Sequence, residues 1–263
     1  MGDSIINRQH YRVSRVQITY RLEIGRSSGH HATREIVRWL VAFVATAICA
    51  AISFVWLDRP IATYVHVHNM RPQQALLEQL THMPDPLIPI AVVALAIIGL
   101  RILTKRPLIR LEIAGFLCSL SVLFAETIKD QLKFLFGRTW PESWAHLDPS
   151  FIGTGAYGFN WLHGGAAYES FPSGHMGATC AVVSVLWIWY PQWRALWVLA
   201  GFVVAVALIG GNYHFLSDVI AGAFVGGSTG WITTMLWTSW LSLRFPRAPK
   251  LDGAHSAENR IRN

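Results

Sequence analysis

Four residues that stand directly before an apolar run, Pro172–His175, have the character of an anion-binding site. If the run is a helix, its first N–H groups have no partner within the helix, and phosphate is a common occupant of such ends. Gly174 allows a ligand to approach the backbone closely, and Ser173 can cap the helix. His175 can supply a proton near neutral pH. A capping serine followed by an interfacial histidine explains the same residues, so this stretch alone leaves both interpretations open.

A second polar stretch, "HFLSD", holds a histidine and a carboxylate four residues apart, His214 and Asp218. On a helix this spacing places two side chains on one face. A carboxylate that bonds one imidazole nitrogen fixes the tautomer and leaves the other nitrogen free to attack or to accept a proton. Taken alone, the pair is better explained as a hydrogen bond that fixes the end of a helix.

The third stretch, "KFLFGRTWP", supplies two cations, Lys133 and Arg138. Such cations often extend to lipid headgroups, but a guanidinium also grips phosphate with two parallel hydrogen bonds. Together with a helix N-terminus, two histidines and a carboxylate, they indicate a phosphoryl-transfer site. Glu126 and Asp130 share a helical face with Lys133, and the spacing predicts that they form ion pairs with this lysine.

The elements that must position these stretches are membrane helices. Of the 263 residues, 52% are hydrophobic and 14% are charged, whereas a soluble domain is typically about one quarter charged. A membrane span needs about 20 mostly apolar residues. The pattern predicts an all-α polytopic membrane protein with about six transmembrane helices in a bundle. The segments are Trp39–Leu57, Pro86–Leu103, Leu108–Ile128, Met176–Tyr190, Ala195–Gly211 and Val219–Leu243.

Arginine and lysine set the orientation of these segments. They concentrate before the first segment, between the second and third, and after the sixth. The positive-inside rule places these parts in the cytoplasm. The sequence therefore predicts a cytoplasmic basic arm at residues 1–35, a six-helix membrane domain at 36–243 and a cytoplasmic tail at 244–263. In this topology all three polar stretches adjoin helix ends on the opposite, outer face.

Several classes of function receive no support. The net charge is +7, but the basic residues are scattered around apolar segments without a nucleic-acid-binding module, so we expect no nucleic-acid partner. Cys49, Cys118 and Cys180 lie in apolar runs and have neither metal-site spacing nor a disulfide pattern. No acidic cluster stands beside the three stretches. We therefore expect no metal requirement and no other cofactor.

The three stretches resemble the signatures of the type 2 phosphatidic acid phosphatase superfamily, which are Lys-x6-Arg-Pro, Pro-Ser-Gly-His and Ser-Arg-x5-His-x3-Asp. The second signature is intact at Pro172–His175, and the third keeps His214 and Asp218. The first keeps Lys133 and Pro141. Both signature arginines are absent, since their places hold Trp140 and Leu208. Arg138 is a candidate replacement for the first; the candidates for the second are Asn212 and Lys129.

The resemblance implies a two-step displacement without a metal. His214 attacks phosphorus, Asp218 orients its ring, and His175 protonates the leaving oxygen and then activates water. The phosphoryl oxygens are held by Lys133, Arg138 and the amides of Ser173 and Gly174. The implied substrate is a lipid phosphate monoester or diphosphate, the implied partner is the bilayer, and the implied location is a bacterial inner membrane with the active site on the periplasmic face.

Two alternatives stay open at this level. A lipid phosphotransferase would use the same phosphohistidine and pass the phosphate to an acceptor other than water. A non-catalytic scaffold or transporter on a degenerate phosphatase frame would explain the two missing arginines. The candidate lipids are phosphatidic acid, phosphatidylglycerophosphate, an isoprenyl diphosphate and a lipid A phosphate.

Overall fold

The computed structural model describes residues 28–68, 74–143 and 148–244. Most of the predicted arm and tail, residues 1–27 and 245–263, lies outside the described residues. The helices are α1 (Ser28–Ile52), α2 (Asp58–Val67), α3 (Gln74–Thr81), α4 (Leu87–Leu103), α5 (Arg110–Phe136), α6 (Phe151–Thr154), α7 (Gly174–Trp189), α8 (Arg194–Gly210) and α9 (Leu216–Arg244). Residues 1–45 and 46–263 form two compact units, and all of the geometry below belongs to the second.

The all-α membrane fold is confirmed, because each of the six predicted segments is helical. Four stretches are long and apolar enough to cross a bilayer, namely Thr33–Val67, Arg110–Phe136, Pro191–Gly210 and Leu216–Leu241. The helices α4 and α7, with 17 and 16 residues, reach only about 25 Å at 1.5 Å per residue, which is short of a hydrocarbon core of about 30 Å. The count of six crossings therefore stays a prediction.

The first apolar segment does not end at Leu57, where a charged residue suggested a polar link. A π-helical turn at Ser53–Leu57 joins α1 to α2, and the helix continues to Val67. The carboxylate of Asp58 is fully buried inside this helix. It is tolerated there because it pairs with Arg138, with Nη2 and Oδ2 2.7 Å apart. A buried charge is kept in a helix only when it has such a partner.

The third segment also extends further than predicted, past Ile128 to Phe136. Gly137 ends it in the left-handed conformation, with φ 53°. The last two turns of α5 therefore carry Lys129 and Lys133 as helical residues, and Arg138 follows directly after the turn. The extension aims both lysines toward the end of the bundle that holds the other polar stretches.

Glycines on α9 bring this helix very close to α7. A β-carbon at Gly226 would overlap the carbonyl oxygen of Gly177, and one at Gly222 would overlap the carbonyl oxygen of Ser173. The fourfold spacing of Gly222, Gly226 and Gly230 indicates a small-residue face of this kind. This packing brings the start of α7 close to the start of α9.

Gly226→Ala is expected to destabilise the folded protein by about 1–3 kcal/mol, because the new methyl group overpacks against the backbone of α7. Gly227→Ala is the matched control, since a β-carbon at the next position meets no atom within 4 Å and alanine favours a helix over glycine. The melting temperatures of both variants in detergent measure the difference. Equal melting temperatures would contradict the close contact.

Candidate active site

The start of α7 is built around Ser173. Its Oγ accepts a hydrogen bond from the Met176 amide at 3.4 Å, and its own N–H donates to the carbonyl oxygen of Asp218 at 3.1 Å. Ser173 is 1% exposed, so it caps the helix from within the protein. The resemblance assigned the Ser173 amide to the phosphate, and this expectation is wrong because that amide is already bonded to Asp218. The amides of Gly174 and His175, in the first turn, are the ones available to a ligand.

His214 and Asp218 meet, although they do not lie on one helix. His214 precedes α9, and Asp218 is in its first turn, where its Oδ2 accepts the Phe215 amide at 3.0 Å. The His214 Nδ1 atom is 3.6 Å from Asp218 Oδ2, which is too long for a hydrogen bond, although the carboxylate is the group that faces this nitrogen. Burial lowers the pKa of His214, although Asp218 acts in the opposite direction. The imidazole is therefore neutral at pH 7, and a proton on Nδ1 leaves the Nε2 lone pair free to attack.

Arg138 contacts Asp218 of this pair inside the protein and does not line the cavity that is described below. Its guanidinium is fully buried, donates to Ser217 Oγ at 2.6 Å, and forms ion pairs with both Asp58 and Asp218. The ring of Phe215 lies 4.3 Å from the guanidinium carbon. The structure thus places Arg138 away from the position that we expected for a phosphate ligand.

The buried ion pairs of Arg138 with Asp58 and with Asp218 leave one negative charge next to His214. Burial alone would lower the pKa of Arg138, but Asp218 and Asp58 together raise it above its ordinary value. One guanidinium between two carboxylates gives a net charge of −1. This charge stabilises an imidazolium or a positively charged phosphohistidine. Asp58 was missed as a site residue, although an acidic residue adjoining an apolar run is itself a signal of function.

One cavity of about 480 Å³ brings the three polar stretches together. Lys133, Gly174, His175 and His214 all line it. Asp218 and Ser173 lie behind this wall, as does Arg138. The lining also includes residues from the end of α3 and the link to α4 that were not predicted as site residues: Thr81, His82, Pro84 and Asp85.

Lys129 lies directly over the first turn of α7. A β-carbon at Gly174 would be 2.8 Å from Lys129 Cδ and 3.4 Å from its Nζ. The ammonium pairs with Glu126 at 2.5 Å and with Asp130 at 3.1 Å. These are the carboxylates that we expected to pair with Lys133, whose Nζ instead lies 3.8 Å from Glu169 Oε2. Glu126 is three residues from Lys129 and Asp130 is three residues from Lys133, so helical spacing favours one pair for each lysine, whereas both carboxylates contact Lys129 in the structure.

The residues at the two missing arginine positions do not supply a cation. Trp140 lines the cavity with its ring centroid 5.0 Å from that of His214. Leu208 is fully buried in an apolar cluster. Asn212, one candidate replacement, is 3% exposed and donates to Ala62 O and to Glu142 Oε2, each at 3.2 Å. Lys129, the other candidate, lines the cavity.

Comparisons with known proteins show what this chain is similar to. A model of the PAP2 superfamily matches residues 114–241, which include all three stretches. A lipid A 1-phosphatase from Rhizobium etli is 26% identical over 223 residues, 81% of this chain and 90% of the relative. One from Rhizobium johnstonii is 27% identical over 129 residues, 49% of this chain and 50% of the relative. A transmembrane PAP2 type phosphatidylglycerolphosphate phosphatase from Bacillus subtilis has a similar fold, with a TM-score of 0.53 at 18% identity over 76% of this chain and 96% of that chain.

Proposed function

Because the chain belongs to the type 2 phosphatidic acid phosphatase (PAP2) superfamily, we propose that it is an integral membrane lipid phosphatase that works through a phosphohistidine. The observation that carries the proposal is the shared cavity of His175 and His214, with Asp218 behind the second histidine. A nucleophile and an acid on one phosphoryl group suit in-line transfer.

In the first step the His214 Nε2 lone pair forms a bond to phosphorus while the ester P–O bond breaks. His175, which enters this step as the imidazolium, gives its proton to the departing lipid oxygen and becomes neutral, and the buried −1 charge that includes Asp218 stabilises the charged ring. In the second step neutral His175 takes a proton from water, and the resulting hydroxyl attacks phosphorus. The N–P bond then breaks, inorganic phosphate leaves, and both histidines return to their starting states.

The phosphoryl oxygens are held by the first turn of α7 and by two lysines. Gly174 lets the oxygens approach the backbone amides, and Lys133 lines the same cavity. Lys129 takes the place of a missing signature arginine, because its ammonium lies beside the helix start where an anion is favoured. Arg138 acts on Asp218 in this scheme and does not touch the phosphate.

The named relatives act on lipid A, so a phosphate monoester of lipid A is the first substrate to test. The proposed orientation keeps both termini in the cytoplasm and opens the cavity on the periplasmic face of a bacterial inner membrane, as the distribution of basic residues predicts. Phosphate release from lipid A, phosphatidylglycerophosphate, phosphatidic acid and an isoprenyl diphosphate, with and without an acceptor lipid, tests the proposal. No release and no transfer from any of them by the purified protein would overturn it.

Lys129→Gln is expected to raise the inhibition constants for phosphate and vanadate about 10- to 100-fold, as expected for the loss of one charged hydrogen bond of about 1.5–3 kcal/mol. Lys129→Arg should keep most of the affinity, because it restores a cation at this place. Lys105→Gln is the control, since Lys105 is exposed and does not line the cavity. Unchanged inhibition constants in Lys129→Gln would remove this residue from the site.

A further inference from the structure

The rim of the cavity holds three side chains that converge on one point. His82 Nδ1 is 2.7 Å from Asp85 Oδ2, and His175 Nε2 is 2.9 Å from Asp85 Oδ1. One ligand atom from each residue lies within 4.8 Å of the other two. All three side chains are accessible, with exposed fractions of 56%, 50% and 34%. An ion can therefore reach them from solvent.

The backbone holds the first two of these ligands in place. The Asp85 amide donates to the His82 carbonyl oxygen at 3.1 Å, and the Leu87 amide donates to that of Pro84 at 2.9 Å. These bonds close the turn between α3 and α4, so His82 and Asp85 face the same side. His175 is fixed independently, as the second residue of α7.

The chemistry of the three groups suits a borderline metal ion. Two imidazoles and one carboxylate are a common protein ligand set for Zn²⁺, with bonds of about 2.0–2.2 Å and water in the fourth position. Ligand atoms around such an ion lie about 3.4 Å apart, which short side-chain movements provide here. A carboxylate also stands at the centre of the cluster, because Asp85 lies within hydrogen-bond distance of both imidazoles.

We propose that His82, Asp85 and His175 bind a divalent transition-metal ion of the Zn²⁺ class and that this ion inhibits the enzyme. The inhibitory part rests on the proposed function of His175. The Nε2 atom of His175 is the one that faces Asp85, so a metal ion bound there occupies this nitrogen. His175 then cannot use Nε2 to donate a proton to the leaving group. Mg²⁺ prefers oxygen ligands and should bind weakly.

Zn²⁺ binding by the purified full chain tests the site directly. The affinity tag is removed, the protein is stripped with a chelator, and Zn²⁺ is titrated calorimetrically in detergent. We expect one ion per chain in the wild type. His82→Gln and Asp85→Asn should each weaken binding at least about tenfold, since loss of even an outer partner of a metal ligand costs roughly 10–100-fold.

His66→Gln is the matched control, because His66 also faces a carboxylate, with Nδ1 3.5 Å from Glu142 Oε1, but it is not part of the three-residue cluster. Binding that is equally strong in His82→Gln and the wild type, or no binding at all, would overturn the site.

Inhibition is measured separately with an aryl phosphate, followed by release of the aryl alcohol, because Zn²⁺ precipitates phosphate. Zn²⁺ should inhibit the wild type reversibly and His82→Gln at least tenfold more weakly, whereas millimolar Mg²⁺ should not inhibit. If Zn²⁺ binds through His82 but does not slow turnover, the metal site is supported and the proposed role of His175 in inhibition is wrong. A protein without turnover would overturn the proposed function, and the calorimetric result would still decide the site.

Discussion

His214→Ala is expected to lower turnover by at least about four orders of magnitude, as loss of a nucleophile does in other covalent mechanisms. The variant should still fold, because the buried ion pairs of Asp218 with Arg138 and of Arg138 with Asp58 do not involve the imidazole. Phosphate release and the melting temperature are measured on the same preparation. His163→Ala is the control, since this loop histidine packs on Tyr168 and does not line the cavity.

The covalent intermediate can be trapped with a second variant, His175→Ala. An aryl phosphate has a leaving group that departs without protonation, so attack by His214 should proceed, whereas water lacks its base in the second step. We expect a burst of aryl alcohol and a phosphoprotein that is stable in alkali and labile in acid. A phosphoprotein that also forms in His214→Ala would place the nucleophile elsewhere, and full steady-state activity in His214→Ala would refute the mechanism.

Arg138→Met is expected to cost about 3–5 kcal/mol of stability and to leave little folded protein, because it strands the buried carboxylates of Asp58 and Asp218 without a cation. This expectation differs from the sequence analysis, in which Arg138 bound phosphate. Expression level, chromatographic behaviour and melting temperature in detergent measure it. Arg106→Met is the control, since Arg106 is exposed in the link between α4 and α5.

The double variant Asp58→Asn/Arg138→Met separates charge from packing. Removing one stranded carboxylate together with the cation should recover part of the lost stability, so the two substitutions should not be additive. Asp218 keeps its bonds from Ser170 Oγ at 2.6 Å and from the Phe215 amide. If Arg138→Met instead kept its melting temperature and lost only vanadate affinity, Arg138 would be a phosphate ligand after all.

The parts of the site that could be predicted are those that depend on neighbours in the chain. The first residues of a helix have unpaired amides in any fold, so the Gly174 amide could be recognised from sequence, whereas the bond from the Ser173 amide to Asp218 could not. The prediction that His214 and Asp218 meet rested on a shared helix; they do meet, but His214 precedes α9, so the turn before this helix also contributes to the contact. The alternation of apolar segments predicted that these stretches would meet at one end of the bundle.

The charged partners could not be predicted in the same way. Helical spacing favours a pair of Glu126 with Lys129 and another of Asp130 with Lys133, each three residues apart, but in the folded protein both carboxylates contact Lys129. Asp58 looked like the first residue of a polar link, because its partner lies 80 residues away. His82 and Asp85 gave no signal, since nothing in the pattern of the link indicates that it folds over the start of α7.

The sequence by itself determined the helices, their apolar surfaces and the order in which the three reactive stretches follow them, because these depend on hydrophobicity and on local backbone geometry. Only the tertiary structure decided which charge meets which. A buried ion needs a partner at hydrogen-bond distance, and that partner comes from whichever helix packs alongside, however distant it is in the chain. For this reason Arg138 pairs with Asp218, and Lys129 lies beside the first turn of α7.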